Sequence, residues 1–321
     1  MGLIGYVHID DRWREMTDAD RLDGETLFWL DFTHHEDDWP SVFQRLGGGA
    51  VHERHVKDSL NLAHPPYYDA TSDYEMLIFR PLAGLQSNDL DLDTSASTLL
   101  LFAHGLVTIR PPDNGLFEDV GRRLHSQTPR QPETIVGVAH ALLHRIVEEQ
   151  MRVRGPLAMQ LELWQQRLFG SEHGVKDWVP LLDLRGRLRR FSTILAEQLS
   201  SLTLWRSETE LHISEHVGVR MNDVMEHIKR TAHDIDALQH DIEGMIQIYF
   251  SITGQRTNSI VQLLTIISVV FLPLNLIAGI FGMNFEQMPL LDHALGFWAT
   301  AIGMAALGLA TLLLLRLKRW I

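Results

Sequence analysis

Residues Ile260–Phe281 read IVQLLTIISVVFLPLNLIAGIF and lead straight into Gly282-Met283-Asn284-Phe285-Glu286-Gln287-Met288-Pro289, after which a second apolar run covers roughly Leu295–Leu315. A helix crosses a bilayer core with about 20 apolar residues, so either run is long enough to span one. No Lys or Arg occurs between Arg256 and Arg316, and Glu286 and Asp292 are the only acidic residues in that window. Arg256 precedes the pair, while Arg316, Lys318 and Arg319 follow it. Basic flanks mark the cytoplasmic side. The expectation is a multi-pass hairpin in the cell inner membrane, with both chain ends cytoplasmic and an acidic turn on the far side that favours cations.

Working outward, the remaining chain is polar and acidic. The 321 residues carry a net charge of −13, most of it before the hairpin, which argues against nucleic acid as a partner. Such a field accumulates cations, although acidity also serves plain solubility. Cysteine is absent, so neither a disulfide framework nor a thiolate metal site is available. Met1-Gly2-Leu3-Ile4-Gly5-Tyr6 lacks the pattern of a signal peptide, and Tyr6 breaks the myristoylation motif. The large N-terminal part is therefore expected in the cytoplasm. No G-x-x-x-x-G-K-[ST] loop occurs, so no nucleotide partner is expected.

Residues 1–130 alternate strand and helix patterns. Leu27–Phe32, Tyr74–Arg80 and Thr98–Ala103 read as strands, the last joined through His104-Gly105 to a hairpin partner at Leu106–Ile109. Trp39–Leu46, His52–Leu62 and Asp113–His125 read as helices, giving an α/β cytoplasmic domain. Residues 131–255 change to long helices. Glu133–Phe169 carries apolar residues at helical spacing, with Gly155-Pro156 as a point of interruption. Leu181–Trp205 forms a second helix, and a third starts near Met221 and meets no proline until Pro273. Continued to Phe281, that helix would be ~90 Å long. A helix of this length needs partners, which argues for an oligomeric stalk leading into the membrane hairpin at 256–321.

Asn258, Gln262, Thr265, Ser268, Leu272, Asn275, Gly279 and Gly282 follow one another every three or four residues through the first span. Polar side chains inside a span face a bundle interior or a water-filled path. Small and hydroxyl residues at this spacing also hold helices together without any path, and the pattern alone leaves both open. Two spans cannot enclose a conduit, so a path would require several copies of the chain.

Pro273, Gly279-Ile280-Phe281-Gly282-Met283-Asn284-Phe285-Glu286-Gln287-Met288-Pro289, the second span and the short basic tail ending Lys318-Arg319-Trp320-Ile321 together resemble the CorA family of magnesium and divalent-cation transporters. The resemblance is densest from about Asp223 onward. It implies a homopentameric funnel in which an α/β domain is followed by a long-helix stalk and a two-helix transmembrane hairpin, the first span lining the pore. The matching pore positions are Asn258, Leu264, Leu272, Asn275, Gly282, Met283 and Asn284. Asn275 stands where members commonly carry Thr, Phe281 where many carry Tyr, and Val261 in place of a frequent Met.

The resemblance also implies Mg²⁺ as both cargo and regulator, entering the cytoplasm down its electrochemical gradient. Mg²⁺ gives up water reluctantly and prefers oxygen neighbours. An Asn284 ring with the carbonyls of Gly282 and Met283 can hold a hydrated ion without trapping it. Glu286 and Asp292 in the loop would concentrate cations. Cytoplasmic Mg²⁺ bound by carboxylates between protomers would close the pore. Asp223 matches one such position, and Asp58 resembles its partner, although Lys57 stands where an acid is common.

Seventeen histidines raise a rival cargo on the same scaffold, Zn²⁺, Co²⁺ or Ni²⁺. His34-His35-Glu36-Asp37-Asp38 and His52-x-x-His55 have the ligand types such ions prefer. Retention of Met283 in the loop motif favours Mg²⁺. The other rival is a membrane-tethered cation sensor whose hairpin is only an anchor. No Ser/His/Asp or metal-hydrolase spacing stands out, so the chain is not expected to be an enzyme.

Overall fold

The structure is a computed structural model that describes residues 4–10, 12–17, 20–22, 24–36, 38–83, 92–112, 114–126, 131–170, 178–283 and 295–318. It divides into two compact units, Met1–Gly244 and Met245–Ile321.

The first unit is built on a seven-stranded sheet. Its strands are β1 (Ile4–Ile9), β2 (Arg12–Glu15), β3 (Phe28–Thr33), β4 (Tyr67–Ala70), β5 (Glu75–Phe79), β6 (Ser97–Leu101) and β7 (Gly105–Arg110). They lie in the order β2-β1-β3-β7-β6-β5-β4, antiparallel throughout except for the central β3–β7 pair. Strands β5, β6 and β7 are buried at every position, as expected of strands covered on both faces. The expected hairpin at His104-Gly105 is the β6–β7 pair. Gly105 is required there: in register with Phe28, a Cβ at this position would run into the Phe28 ring.

One face of the sheet packs on α1 (Trp39–Arg45) and α2 (Glu53–Ser59), with Trp39 and Phe43 set among Phe28, Leu30, Phe32, Met76, Ile78, Leu100 and Ile109. The other face is covered by α3 (Leu116–His125), α4 (Ile135–Arg152) and α6 (Val179–Glu208). The α/β domain read from the sequence is thus a three-layer sandwich. The helix expected over His52–Leu62 is shorter: His52 caps its start, its Nδ1 accepting from Arg54 N at 3.2 Å, and Leu60 caps its end. The long run expected from Glu133 is interrupted at Val153, giving α4 and then α5 (Arg154–Gly170). Pro156 lies at the start of α5, where its missing N–H leaves no bond unmade.

Buried polar groups tie the layers together. On the α3 side of the sheet, Arg110 Nε donates to Asp31 Oδ2 at 2.8 Å, and both side chains are 2% exposed. Thr108 Oγ1 donates to Asp31 Oδ1 at 2.6 Å, and Arg110 Nη2 reaches Glu118 of α3 at 3.0 Å. Burial pushes the Asp31 carboxyl up to about 6, with Arg110 pulling the other way. At the other end, Glu75 of β5 accepts from Trp205 Nε1 at 2.7 Å, from Thr209 Oγ1 at 2.8 Å and from Glu210 N at 3.0 Å. One buried carboxylate therefore pins the C-terminus of α6 to the sheet.

Helix α7 (Glu215–Phe281) is 67 residues long and begins six residues before the expected start at Met221. At about 1.5 Å per residue it extends ~100 Å. Within the first unit it buries Met221, Val224, Ile228, Thr231, Ile235, Leu238 and Ile242, while α6 buries Leu184, Leu188, Phe191, Leu195, Gln198, Leu202 and Trp205. Both sets step alternately by three and four residues, the spacing of a coiled-coil seam. Arg185–Glu243 at 2.6 Å and Ser192–Asp236 at 2.7 Å set the antiparallel register. A contact from Arg206 to Asn222 continues it. Arg154 of α5 joins through Asp234 at 3.3 Å.

Replacing Arg110 by Met leaves the Asp31 carboxyl buried without its ion-pair partner. The expected loss is about 3–5 kcal/mol, read as an earlier thermal unfolding of the soluble unit. Adding Asp31→Asn to the same chain should restore part of that loss.

Candidate cation path on the first span

The second unit contains the end of α7 and α8 (Gly296–Leu317), two helices long and apolar enough to cross a membrane. Their apolar windows are not buried inside the unit. Leu264, Leu272, Leu276, Ile302, Leu309 and Leu317 are each more than 60% exposed, which suits a lipid or oligomer surrounding and not water. Tyr249 and Phe250 pair before the first span, and Phe297 and Trp298 at the start of the second, where interfacial aromatics are expected.

The covered positions show how the hairpin closes. On α8 they are Gly296, Thr300, Ala301, Met304, Gly308, Thr311 and Leu315, a face rich in small residues that allows close helix approach. Gly308 is buried, and a Cβ there would meet Leu274 Cδ1 at 3.7 Å. On α7 the covered side includes Val270, Leu274, Ile277 and Phe281. With about 100° of rotation per residue, Ser268, Leu272, Asn275 and Gly279 lie on the opposite side of α7. These four are exposed, as are Asn258, Gln262, Leu264 and Gly282, whereas Thr265 is half-covered. The polar stripe is therefore not what holds the two spans of one chain together.

Hydroxyl chemistry on this stripe is constrained by the helix itself. Thr265 Oγ1 donates to Val261 O at 2.8 Å and Ser268 Oγ to Leu264 O at 2.9 Å. With their protons turned back onto the backbone, both hydroxyls offer lone pairs outward. The stripe thus presents acceptor oxygens, which suit the water hydrogens of a hydrated cation. Pro273 sits inside the helix and cannot donate to the preceding turn, so one carbonyl of the first span lacks its helical partner. At the end of α7, Gly282 N donates to Ala278 O at 2.9 Å and Met283 N to Ile280 O at 3.2 Å. Asn284, Glu286 and Asp292 lie outside the described residues.

The two carboxylates singled out in the soluble unit have separate surroundings. Asp223 is exposed on α7. Asp58 on α2 is partly buried, with Arg54 Nε at 3.8 Å and His64 Nε2 at 3.7 Å. Among the described residues, no group of three His, Asp or Glu side chains is placed to hold a metal ion.

Three of the motif histidines are engaged within the fold. His34 is buried with Nε2 at 3.1 Å from Ala96 O, whereas His35 is exposed. His52 serves as the α2 cap, and His55 is buried between Tyr74 Oη at 2.8 Å and Asp69 Oδ2 at 3.2 Å. Asp37 lies outside the described residues. What the sequence reading missed is a second gathering of His140, His144 and His227, contributed by α4 and α7, with ring centroids 5.8 and 6.4 Å apart. The i,i+4 spacing of His140 and His144 was its only local signal.

Residues 24–319 match the family model for CorA-like Mg²⁺ transporter proteins. The cobalt/magnesium transport protein CorA of Thermotoga maritima is 24% identical over 307 residues, covering 93% of this chain and 85% of that protein. The magnesium transport protein CorA of Wolinella succinogenes is 20% identical over 301 residues, 92% and 91% of the two chains. The complete structure of the CorA magnesium transporter from Methanocaldococcus jannaschii has the same fold, with a TM-score of 0.85 at 19% identity over 100% of this chain and 99% of that one. Family model, relatives and fold all run through the soluble unit and both candidate spans, and on that ground the chain belongs to the CorA-like family of Mg²⁺ and divalent-cation transporters.

Proposed function

We propose that copies of this chain assemble into a homopentamer in the inner membrane and conduct hydrated Mg²⁺ into the cytoplasm. In this reading 1–130 is the cytoplasmic α/β domain, 131–255 the stalk and 256–321 the pore-forming hairpin with both ends cytoplasmic. The observation that carries it is the oxygen-bearing stripe of α7, exposed on the side away from α8. Facing the same stripe of other copies, Asn258, Leu264, Leu272 and Asn275 would line the conduit. Asn284 with the carbonyls of Gly282 and Met283 would form its mouth, and Glu286 and Asp292 would gather cations before it. No enzymatic step is needed. The membrane potential supplies ~2.3 kcal/mol per charge per 100 mV, and about twice that for a divalent ion.

Closure would come from cytoplasmic Mg²⁺ held between protomers by Asp223 and Asp58. Mg²⁺ is favoured over Zn²⁺, Co²⁺ or Ni²⁺ because the stripe offers neutral oxygens, and His34, His52 and His55 are engaged within the fold.

Purified protein in proteoliposomes should admit Mg²⁺ in proportion to an imposed potential, reported by a Mg²⁺-sensitive dye, with Zn²⁺, Co²⁺ and Ni²⁺ as competitors. Asn284→Ala should abolish entry while leaving the assembled size unchanged; undiminished entry would remove Asn284 from the mouth. Preferred Zn²⁺ entry would transfer the role to the rival cargo, and no flux from an assembled protein would favour a tethered sensor.

Asp223→Ala should keep the conduit but weaken its feedback. Millimolar Mg²⁺ on the soluble-unit side is expected to suppress flux in the parent protein and to suppress it several-fold less in the variant.

A further inference from the structure

We propose that the soluble unit carries a binding site for a phosphate-bearing solute, in the cavity bounded by α3, the start of α4 and the first turn of α7. The cavity has a volume of about 720 Å³ and is lined by Arg123, Thr134, His140, His144, His216 and Arg220, among others. Among the described residues, Glu133, which is exposed, is the only carboxylate in its wall, against Arg123, Arg145, Arg220 and three histidines. Asp119 pairs with two of these arginines, Arg123 at 3.7 Å and Arg145 at 3.5 Å.

Two helix starts add to the positive field. Thr134 caps α4, its Oγ1 accepting from Gly137 N at 3.1 Å, and Ser214 stands before α7, its Oγ accepting from Val217 N at 3.4 Å. The amino ends of helices favour anions, and phosphate above all, because unpaired N–H groups and the dipole act together. His140 provides an independent sign of a missing partner. It is 2% exposed, lines the cavity, and its Nε2 has no hydrogen-bond partner. Arg220 is exposed and makes no ion pair among the described residues, although nearby Arg145 is paired with Glu149 at 2.6 Å.

Burial, then Arg220 and His144, press His140 down to about 4, against upward pulls from the Arg220 backbone and from Asp223. Burial lowers His144 as well, against an upward pull from Glu148. Both rings therefore serve as neutral hydrogen-bonding groups at neutral pH. A phosphoryl group brings a multiple charge and several acceptor oxygens to guanidinium forks and imidazole donors. The cavity exceeds what one phosphate fills and falls in the range of sites for small organic ligands. Val120, Leu124, Pro132 and Val217 supply an apolar wall for the remainder of such a molecule.

The test is equilibrium binding of inorganic phosphate and of ribose 5-phosphate to the detergent-solubilised full chain, in metal-free buffer at fixed ionic strength with chloride as background. Saturable binding is expected, weakened at least about tenfold by Arg220→Gln, which removes a charge-assisted contact. Arg230→Gln, an exposed change further along α7, should leave affinity unchanged. Tighter binding of ribose 5-phosphate would identify an organic phosphate as the occupant, and equal binding would identify phosphate itself. Absence of saturable binding would overturn the site. So would equal affinity in a folded Arg220→Gln chain, or an equal loss in both variants. Because no divalent cation is present, the result is independent of whether the protein transports Mg²⁺.

Discussion

The soluble unit depends on the apolar seam between α6 and α7. Most of the stability of a helix in water comes from packing an apolar face, and α7 has far more length than its own propensity could support. From Met221 to Ile242 its buried residues recur at three-four spacing, and the Arg185–Glu243 and Ser192–Asp236 bridges hold α6 antiparallel beside it. The seam in turn reaches the sheet through Trp205, which is fully buried and donates to Glu75 of β5. Sheet, α6 and the soluble part of α7 are thus one connected body. Removing the seam would leave the soluble part of α7 held by α4 at His144–His227 and by α5 at Arg154–Asp234.

Past Met245 the same helix changes solvent. Its side chains turn from a seam with one buried stripe to a surface of Ile, Leu, Val and Phe that the chain itself leaves exposed. In lipid this arrangement needs no apolar partner, and what remains to be organised is the minority of polar atoms. The structure organises them by side. Val270, Leu274, Ile277 and Phe281 serve contact with α8, and Ser268 and Asn275 are left for whatever faces the opposite side. An alternative role for the stripe, gluing the two spans of a single chain, is thereby removed. Packing between copies and lining a path both survive, and they are compatible.

Much of this was legible in the sequence because the signals were long or strongly patterned. Ile260–Phe281 and the second run could be read from length and composition, and β6–β7 from two apolar runs around His104-Gly105. Strands β1, β2 and β4 were not. Arg12–Glu15 and Tyr67–Ala70 are four-residue edge strands with one buried side chain each, too short for an alternating pattern to declare itself. The start of α7 was placed late because Glu215–Arg220 buries nothing, and only the tertiary seam from Met221 onward makes a periodic signal. The histidines misled for another reason. A ligand type is visible in sequence, but the hydrogen bonds that occupy it, such as Tyr74 and Asp69 on His55, come from distant strands. The basic cavity is invisible for the same cause, since Arg123, His140 and Arg220 are brought together only by the fold.

The regular three-four stepping of α6 against α7 also restricts how the pair can move. Sliding one helix along the other would bring like positions back into register only after a full heptad, ~10 Å of travel. Shorter slips would push Asp234, Asp236 or the flanking arginines into the apolar seam, and would break the bridges at Arg185 and Ser192. Translation is therefore a high-barrier coordinate for this pair, whereas tilting and bending as a unit keep every contact. Within the first unit, a displacement imposed on the sheet would therefore turn α6 and α7 together, the pair acting as a lever and not as a piston.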